Sequence, residues 1–219
     1  MMFHRKLLIA TIVSGMLSFG AGAKAGVIYN NLPPVTTSGG TDPFAVDGPS
    51  YDSFSTGSSV SVLTDVKMML SGTSGVAHFT VSLLSDSSKS PGSLLATLGT
   101  FSDGTLTASA SVYDVPVSAY VLAAGTRYWV ELNTAPSGPT SSVAWDYATN
   151  ASGIGVSGEY WAYNPSGMLT VTANSDNSGP FQMEVTTSVS SAVPEPGTLY
   201  QILTALGIGV SAIARRRMV

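Results

Sequence analysis

The sequence predicts an all-β protein: an antiparallel β-sandwich, jelly-roll-like, set between apolar helical segments at the two chain ends. Three observations lead there. Between residues 26 and 189, short runs rich in Val, Thr, Leu, Tyr and Phe alternate apolar and polar side chains, the period of half-buried strands. In the same region Ser, Thr and Gly abound while Lys and Glu are scarce, a balance suited to strands and turns rather than surface helices. The apolar runs at 7–20 and 199–214 lack alternation and lie outside this region.

The N-terminus reads MMFHRK, then LLIATIVSGMLSFG, then AGAKAG. A basic head, a short apolar stretch and small residues spaced as A-x-A are the pattern of a secretory signal peptide over residues 1–25. The apolar stretch is short for a membrane span. A cut after Ala25 places Ala23 and Ala25 at the two small positions; a cut after Ala23 is the alternative.

The body, 26–189, is predicted to form strands at 59–70, 76–85, 105–117, 126–134, 142–149, 168–174 and 181–187. In the first of these, Val60, Val62, Val66, Met68 and Leu70 are expected on one face. In the second, Val76, His78 and Thr80 oppose Ala77, Phe79, Val81 and Leu83. The spacing suits a sandwich or barrel. Residues 85–101 read as a long connection: SDSSKSPG turns, and Leu94, Leu95 and Leu98 then require a core. The chain has no cysteine, which excludes disulfides, thiol catalysis and thiolate zinc sites. A body of roughly 160 residues is long enough to hold together through its core alone.

Residues 190–198 form a linker containing Pro194-Glu195-Pro196. Its two prolines fix φ and remove donors, so the segment is expected to be extended, unable to join a sheet and open to a protease. Residues 199–214 carry no charge. As a helix they would span about 24 Å, against a hydrocarbon core of about 30 Å, a gap that flanking residues can close. Arg215, Arg216 and Arg217, in the basic tail 215–219, stop transfer and stay on the cytoplasmic side.

This order, Val193-Pro194-Glu195-Pro196, then the apolar run 199–214, then Arg215-Arg216-Arg217, resembles the PEP-CTERM sorting signal on exported proteins of some Gram-negative bacteria. The resemblance implies a chain exported by the Sec machinery and held briefly in the inner membrane. A membrane peptidase, exosortase, would then cut it at or near the Pro-Glu-Pro and leave it at the cell surface or in the extracellular matrix. The body resembles extracellular choice-of-anchor domains, most closely type R. The matching pieces are Phe54-Ser55-Thr56-Gly57, the strand 59–70, Val81-Ser82-Leu83, the run PGSLLATL at 91–98, and Tyr128-Trp129-Val130. That likeness implies a β-sandwich and brings no catalytic residues.

Charge narrows the partners. Of 9 Lys and Arg, only Lys67, Lys89 and Arg127 lie in the body, against every acid except Glu195. Twelve acids and three bases give it a formal charge of −9, which repels phosphate backbones, so no nucleic acid is expected. No G-x-S-x-G, H-E-x-x-H or phosphate-loop pattern occurs. His78 is the one histidine beyond the signal peptide and is read as structural. No catalytic residue is expected. Glu131, Asp146, Glu159 and Glu184 are the candidates for a carboxylate pair that cuts glycosidic bonds, a remote alternative. No cofactor is expected; turn acids Asp42, Asp47, Asp86, Asp103 and Asp176 are the oxygen ligands a Ca²⁺ ion would use, although no spaced loop motif joins them. Trp129 alternates like a core residue. Trp161, lying between turn residues in GEYWAYNPSG, is with Tyr160 and Tyr163 the candidate platform for stacking sugar rings. The sequence therefore points to a non-enzymatic surface or exopolysaccharide-matrix protein, with a carbohydrate-binding module as the alternative.

Overall fold

Where side chains alternate, the chain pairs. The computed structural model describes residues 25–189 apart from 74, 136–139 and 176–178. Its strands are β1 (Ala25–Asn30), β2 (Ser38–Pro43), β3 (Ser50–Ser55), β4 (Ser61–Ser71), β5 (His78–Asp86) and β6 (Pro91–Ser102), then β7 (Ser111–Leu122), β8 (Arg127–Thr134), β9 (Ala144–Ala148), β10 (Tyr160–Tyr163), β11 (Thr170–Ala173) and β12 (Met183–Val189). A one-turn helix, α1 (Phe44–Asp47), follows β2. The protein is all-β, and every strand pairing is antiparallel. Among the described residues, no helix is long and apolar enough to cross a membrane. Residues 1–24 with Ala23, the linker with Pro194, Glu195 and Pro196, the apolar run 199–214 and Arg215, Arg216 and Arg217 lie outside the described residues.

One sheet runs β1-β12-β4-β9-β2, with β7 also paired to β4; the other runs β11-β10-β3-β8-β5-β6. They enclose a common core. Leu63, Val66, Met68, Val115, Trp145 and Met183 come from the first sheet, and Phe54, Phe79, Val81, Leu83, Val130 and Leu132 from the second, all at most 1% exposed. Edge contacts of Tyr113 with Phe79 and Phe101, at 5.6 and 5.5 Å, join the layers. In β5 the strand period alone explains the faces: Phe79, Val81 and Leu83 point inward, and Thr80 and His78 do not.

Three expectations are corrected. First, the inner face of β4 is Leu63, Val66, Met68 and Leu70, whereas Val60 is exposed and Val62 half-buried. A register irregularity between Leu63 and Asp65 lets two residues three apart face the same way, as a bulge does. Second, the connection 85–101 is largely a strand. β6 pairs with β5 at the margin of its sheet, and two register irregularities within 81–84 turn its leucines aside. Leu94 is 60% exposed and Leu95 also exposed; only Leu98 packs on the core. Third, β7 begins at Ser111, not 105, because a 3₁₀ turn (Asp103–Thr105) comes first. There the buried Asp103 accepts from Ser141 Oγ (2.6 Å) and Ser142 N (2.7 Å), tying two loops together. His78 is the first residue of β5. β1, β2, β3 and β10 come in addition to the predicted strands.

Candidate functional site

A cleft of about 280 Å³ is lined by Asp42, Asp47, Tyr147, Trp161, Tyr163 and Gly179. It lies between the β2–β9 margin of one sheet and β10 of the other. Cross-strand register explains how the first wall forms. Gly40 pairs with Tyr147 and Asp42 with Trp145, so Asp42 shares the inward face of its sheet with both aromatics. Tyr147 lies close against glycine backbone: a Cβ on Gly39 would sit 2.6 Å from its ring, and one on Gly40 2.6 Å from its hydroxyl. Gly40 also holds φ at +144°, a conformation that favours glycine. The one-turn α1 then brings Asp47 to the same cleft.

The second wall follows from strand period. Trp161 and Tyr163, two apart on β10, share a face and stack at 5.7 Å with planes 17° apart. Trp161 meets Phe181 edge-on at 5.9 Å, and Phe181 stacks on Trp145 at 4.8 Å. An aromatic series thus leads from the cleft into the core and fixes the Trp161 ring. The Trp161 Nε1 is buried and has no hydrogen-bond partner among the described residues.

One of the two carboxylates has a displaced titration. Burial, together with the neighbouring Asp47, raises the Asp42 carboxyl to about 6. The body's three cations are all engaged elsewhere. Lys67 bridges Asp65 and Glu184. Arg127 donates to Glu159 at 2.7 Å, and both Arg127 and Lys89 lie over the Tyr160 ring. Among the described residues, neither Asp42 nor Asp47 forms an ion pair or accepts a side-chain hydrogen bond.

The predicted sugar platform is corrected. Trp161 sits within β10, not between turns, and strand alternation sends Tyr160 to the opposite face. There Tyr160 packs on a separate cluster of Tyr51, Leu84, Trp129 and Ala162. Trp129 is fully buried, as expected, but in this outer cluster, where its Nε1 donates to Asp86 at 2.9 Å.

The four candidate glycosidase acids do not converge. Glu159 is buried against Arg127 and Ser53, and Asp146 is buried and accepts from Ser38. Glu184 accepts from Lys67 and Asn30. Glu131 lines a second, shallow cleft of about 320 Å³ on the outer face of the other sheet, with Thr80, Ser82 and Leu94. Of the turn acids, Asp42 and Asp47 meet in the first cleft, Asp86 and Asp103 are held by hydrogen bonds, and Asp176 lies outside the described residues. Among the described residues, no three His, Asp or Glu side chains are grouped so as to hold a metal ion.

Sequence reasoning saw Tyr147 only as one of the aromatics of the second half and did not foresee its meeting with Asp42, Asp47 and Trp161. The signals were present: a W-x-Y pair at strand spacing, and a Gly-Gly step two residues before Asp42. Their convergence depends on which strands close the sheet margins. No protein-family model matches this chain, and no curated protein matches it.

Proposed function

We propose that this chain is an exported, non-enzymatic protein of the cell surface or exopolysaccharide matrix, processed at Pro194-Glu195-Pro196 by a peptidase of the exosortase type. What carries the reading is the order of the C-terminal parts: Pro-Glu-Pro, an uncharged run over 199–214 and three arginines. The body's geometry supports it. Ala25 pairs with Ser188 across β1 and β12, so the first and last described strands bring the two points of attachment of the proposed membrane segments together. β12 ends at Val189, so a cut at 194–196 leaves every described strand on the released body. The strand orders β1-β12-β4, with β7 also on β4, and β3-β8-β5-β6 support a jelly-roll-like sandwich, to which β2, β9, β10 and β11 add.

The test is the mass of the mature C-terminus in the protein's own cells. An end near Pro194 to Pro196 with the arginines gone is expected; an end at Val219 in the membrane fraction would make the tail a permanent anchor.

A second reading, carbohydrate binding, is favoured by one observation: stacked Trp161 and Tyr163 line a cleft that also holds two carboxylates without partners among the described residues. Aromatic rings accept the apolar faces of sugars, and carboxylates accept from their hydroxyls. Retention of the protein on polysaccharide gels tests this reading, and loss of retention in Trp161→Phe or Tyr163→Leu would place the contact in the cleft.

A further inference from the structure

We propose that the cleft binds an amino sugar with a free ammonium group, the charge held between Asp42 and Asp47 and the ring against Trp161 and Tyr163. This rests on the carbohydrate-binding reading and sharpens it to a ligand class. Three features of the cleft favour a cation over a neutral sugar. Two carboxylates share it, and no Lys, Arg or His lines it among the described residues. Like charges in a partly desolvated site raise each other's energy, and a bound cation removes that repulsion whereas a neutral hydroxyl does not. The remaining large side chains of the wall are Tyr147, Trp161 and Tyr163, whose ring faces attract ammonium groups.

The same features disfavour a bare metal ion. Ca²⁺ takes about six to eight oxygen ligands, and here two carboxylates face aromatic carbon. At about 280 Å³ the cleft is at the small end of ligand pockets, matched to one ring rather than a long chain segment.

Calorimetry on the full chain in detergent at pH 7 tests this with four probes: a glucosamine tetramer, the N-acetylglucosamine tetramer, a glucose tetramer and calcium chloride. The glucosamine tetramer is expected to bind at least tenfold more tightly than either neutral tetramer. Asp47→Asn should abolish that preference. Asp114→Asn, an equal charge change on the exposed face of β7, should preserve it. Equal binding of all three tetramers would overturn the ammonium assignment and leave the carbohydrate reading standing. No binding of any tetramer would remove both. Equal loss in Asp47→Asn and Asp114→Asn would reduce the effect to general attraction by an acidic body, and binding of calcium alone would make the cleft a metal site; either result overturns the proposal. The circular dichroism of each variant should match the parent, and Asp47→Glu, which keeps the charge, should retain the preference.

Discussion

The cleft and the polar network beneath β3 both gather carboxylates, and they treat them in opposite ways. In the network, Glu159 is buried and accepts from Arg127 Nε at 2.7 Å and Ser53 Oγ at 2.6 Å. Arg127 continues to the Gly158 carbonyl, and the Ser53 hydroxyl also accepts from Tyr160 N. The fully buried Asp52 accepts from the Tyr29 hydroxyl at 3.3 Å. Each of these acids therefore has protein partners. In the cleft, Asp42 and Asp47 have none among the described residues. The Glu159 pair holds the fold together; the acids of the cleft have no such partner and remain available to a ligand.

The largest expected effect breaks the network. Glu159→Ala leaves Arg127 and Ser53 without their acceptor. Removing one member of a buried pair costs about 3 kcal/mol at the lower end of the usual range, the appropriate end because Arg127 reaches solvent. Urea denaturation measures it. A loss below about 0.5 kcal/mol would mean that the pair behaves as an ordinary surface contact.

Next comes Asp52. Burial lifts its carboxyl well above the usual range, and the Glu159 charge adds to this while the Tyr29 hydroxyl pulls the other way. The unfolded chain releases this proton near 3.8, and the folded chain keeps it to higher pH. Between those two values the unfolded state binds fewer protons, so stability is full below about pH 3.8 and falls as pH rises. Asp52→Asn should flatten that decline. Urea midpoints taken from pH 4 to 8 would contradict the assignment if parent and variant ran parallel.

Much of this fold could be read from period alone, and the reason is local. β5, β8 and β12 are central strands whose core residues recur at every second position (Phe79, Val81 and Leu83; Tyr128, Val130 and Leu132; Met183 and Val185), so each announces its inward face. β6 misled because its three leucines suggested burial, whereas its position at a margin and its register irregularities leave Leu94 outside. β2, with the sequence SGGTDP, carries no apolar alternation at all; it pairs because β9 offers a free edge. The site inherits this difference. Trp161 was marked by its chemistry, yet its partners Asp42 and Tyr147 are brought to it by β2 and β9, and the pairing of distant strands is not written in either segment. Tyr160 fell away for the simplest reason, since neighbours on a strand face opposite sides.

A smaller effect, opposite in sign to that of Glu159, sharpens the comparison. Asp42 is raised to about 6 by burial and by Asp47, so its stability contribution is intact below about pH 3.8 and is lost as pH climbs through 6. Asp42→Asn should therefore stabilise the protein at pH 7.5 and leave it unchanged at pH 3.5. A fully buried group with this shift would contribute about 3 kcal/mol; Asp42 borders an open cleft, and solvent screening reduces the gain to about 1 kcal/mol. Thermal melts of the two proteins at both pH values give the answer. A destabilised variant at pH 7.5 would show that Asp42 is held by the fold after all.

The smallest effect concerns a third arrangement, intermediate between the other two. On the outer face of the first sheet, Lys67 Nζ lies 2.8 Å from Glu184 and 3.6 Å from Asp65, with all three side chains partly exposed. Asp114 lies opposite Lys67 on β7. Without the lysine, these acids would stand as Asp42 and Asp47 do, close together with no cation between them, but in water rather than in a cleft. Lys67→Met keeps the length of the side chain and removes only the charge. It should cost about 0.5 kcal/mol in dilute buffer, the usual size of an exposed pair. The cost should shrink in about 1 M salt, where mobile cations take the lysine's place. A cost that persisted unchanged in high salt would assign Lys67 to packing through its stem, and its neighbouring acids to the solvated surface. A cost that vanished would show that mobile ions suffice where acids face water. The unpaired acids of the cleft, half-screened by aromatic walls, would then be the one place in the described body where a specific cation does what salt cannot.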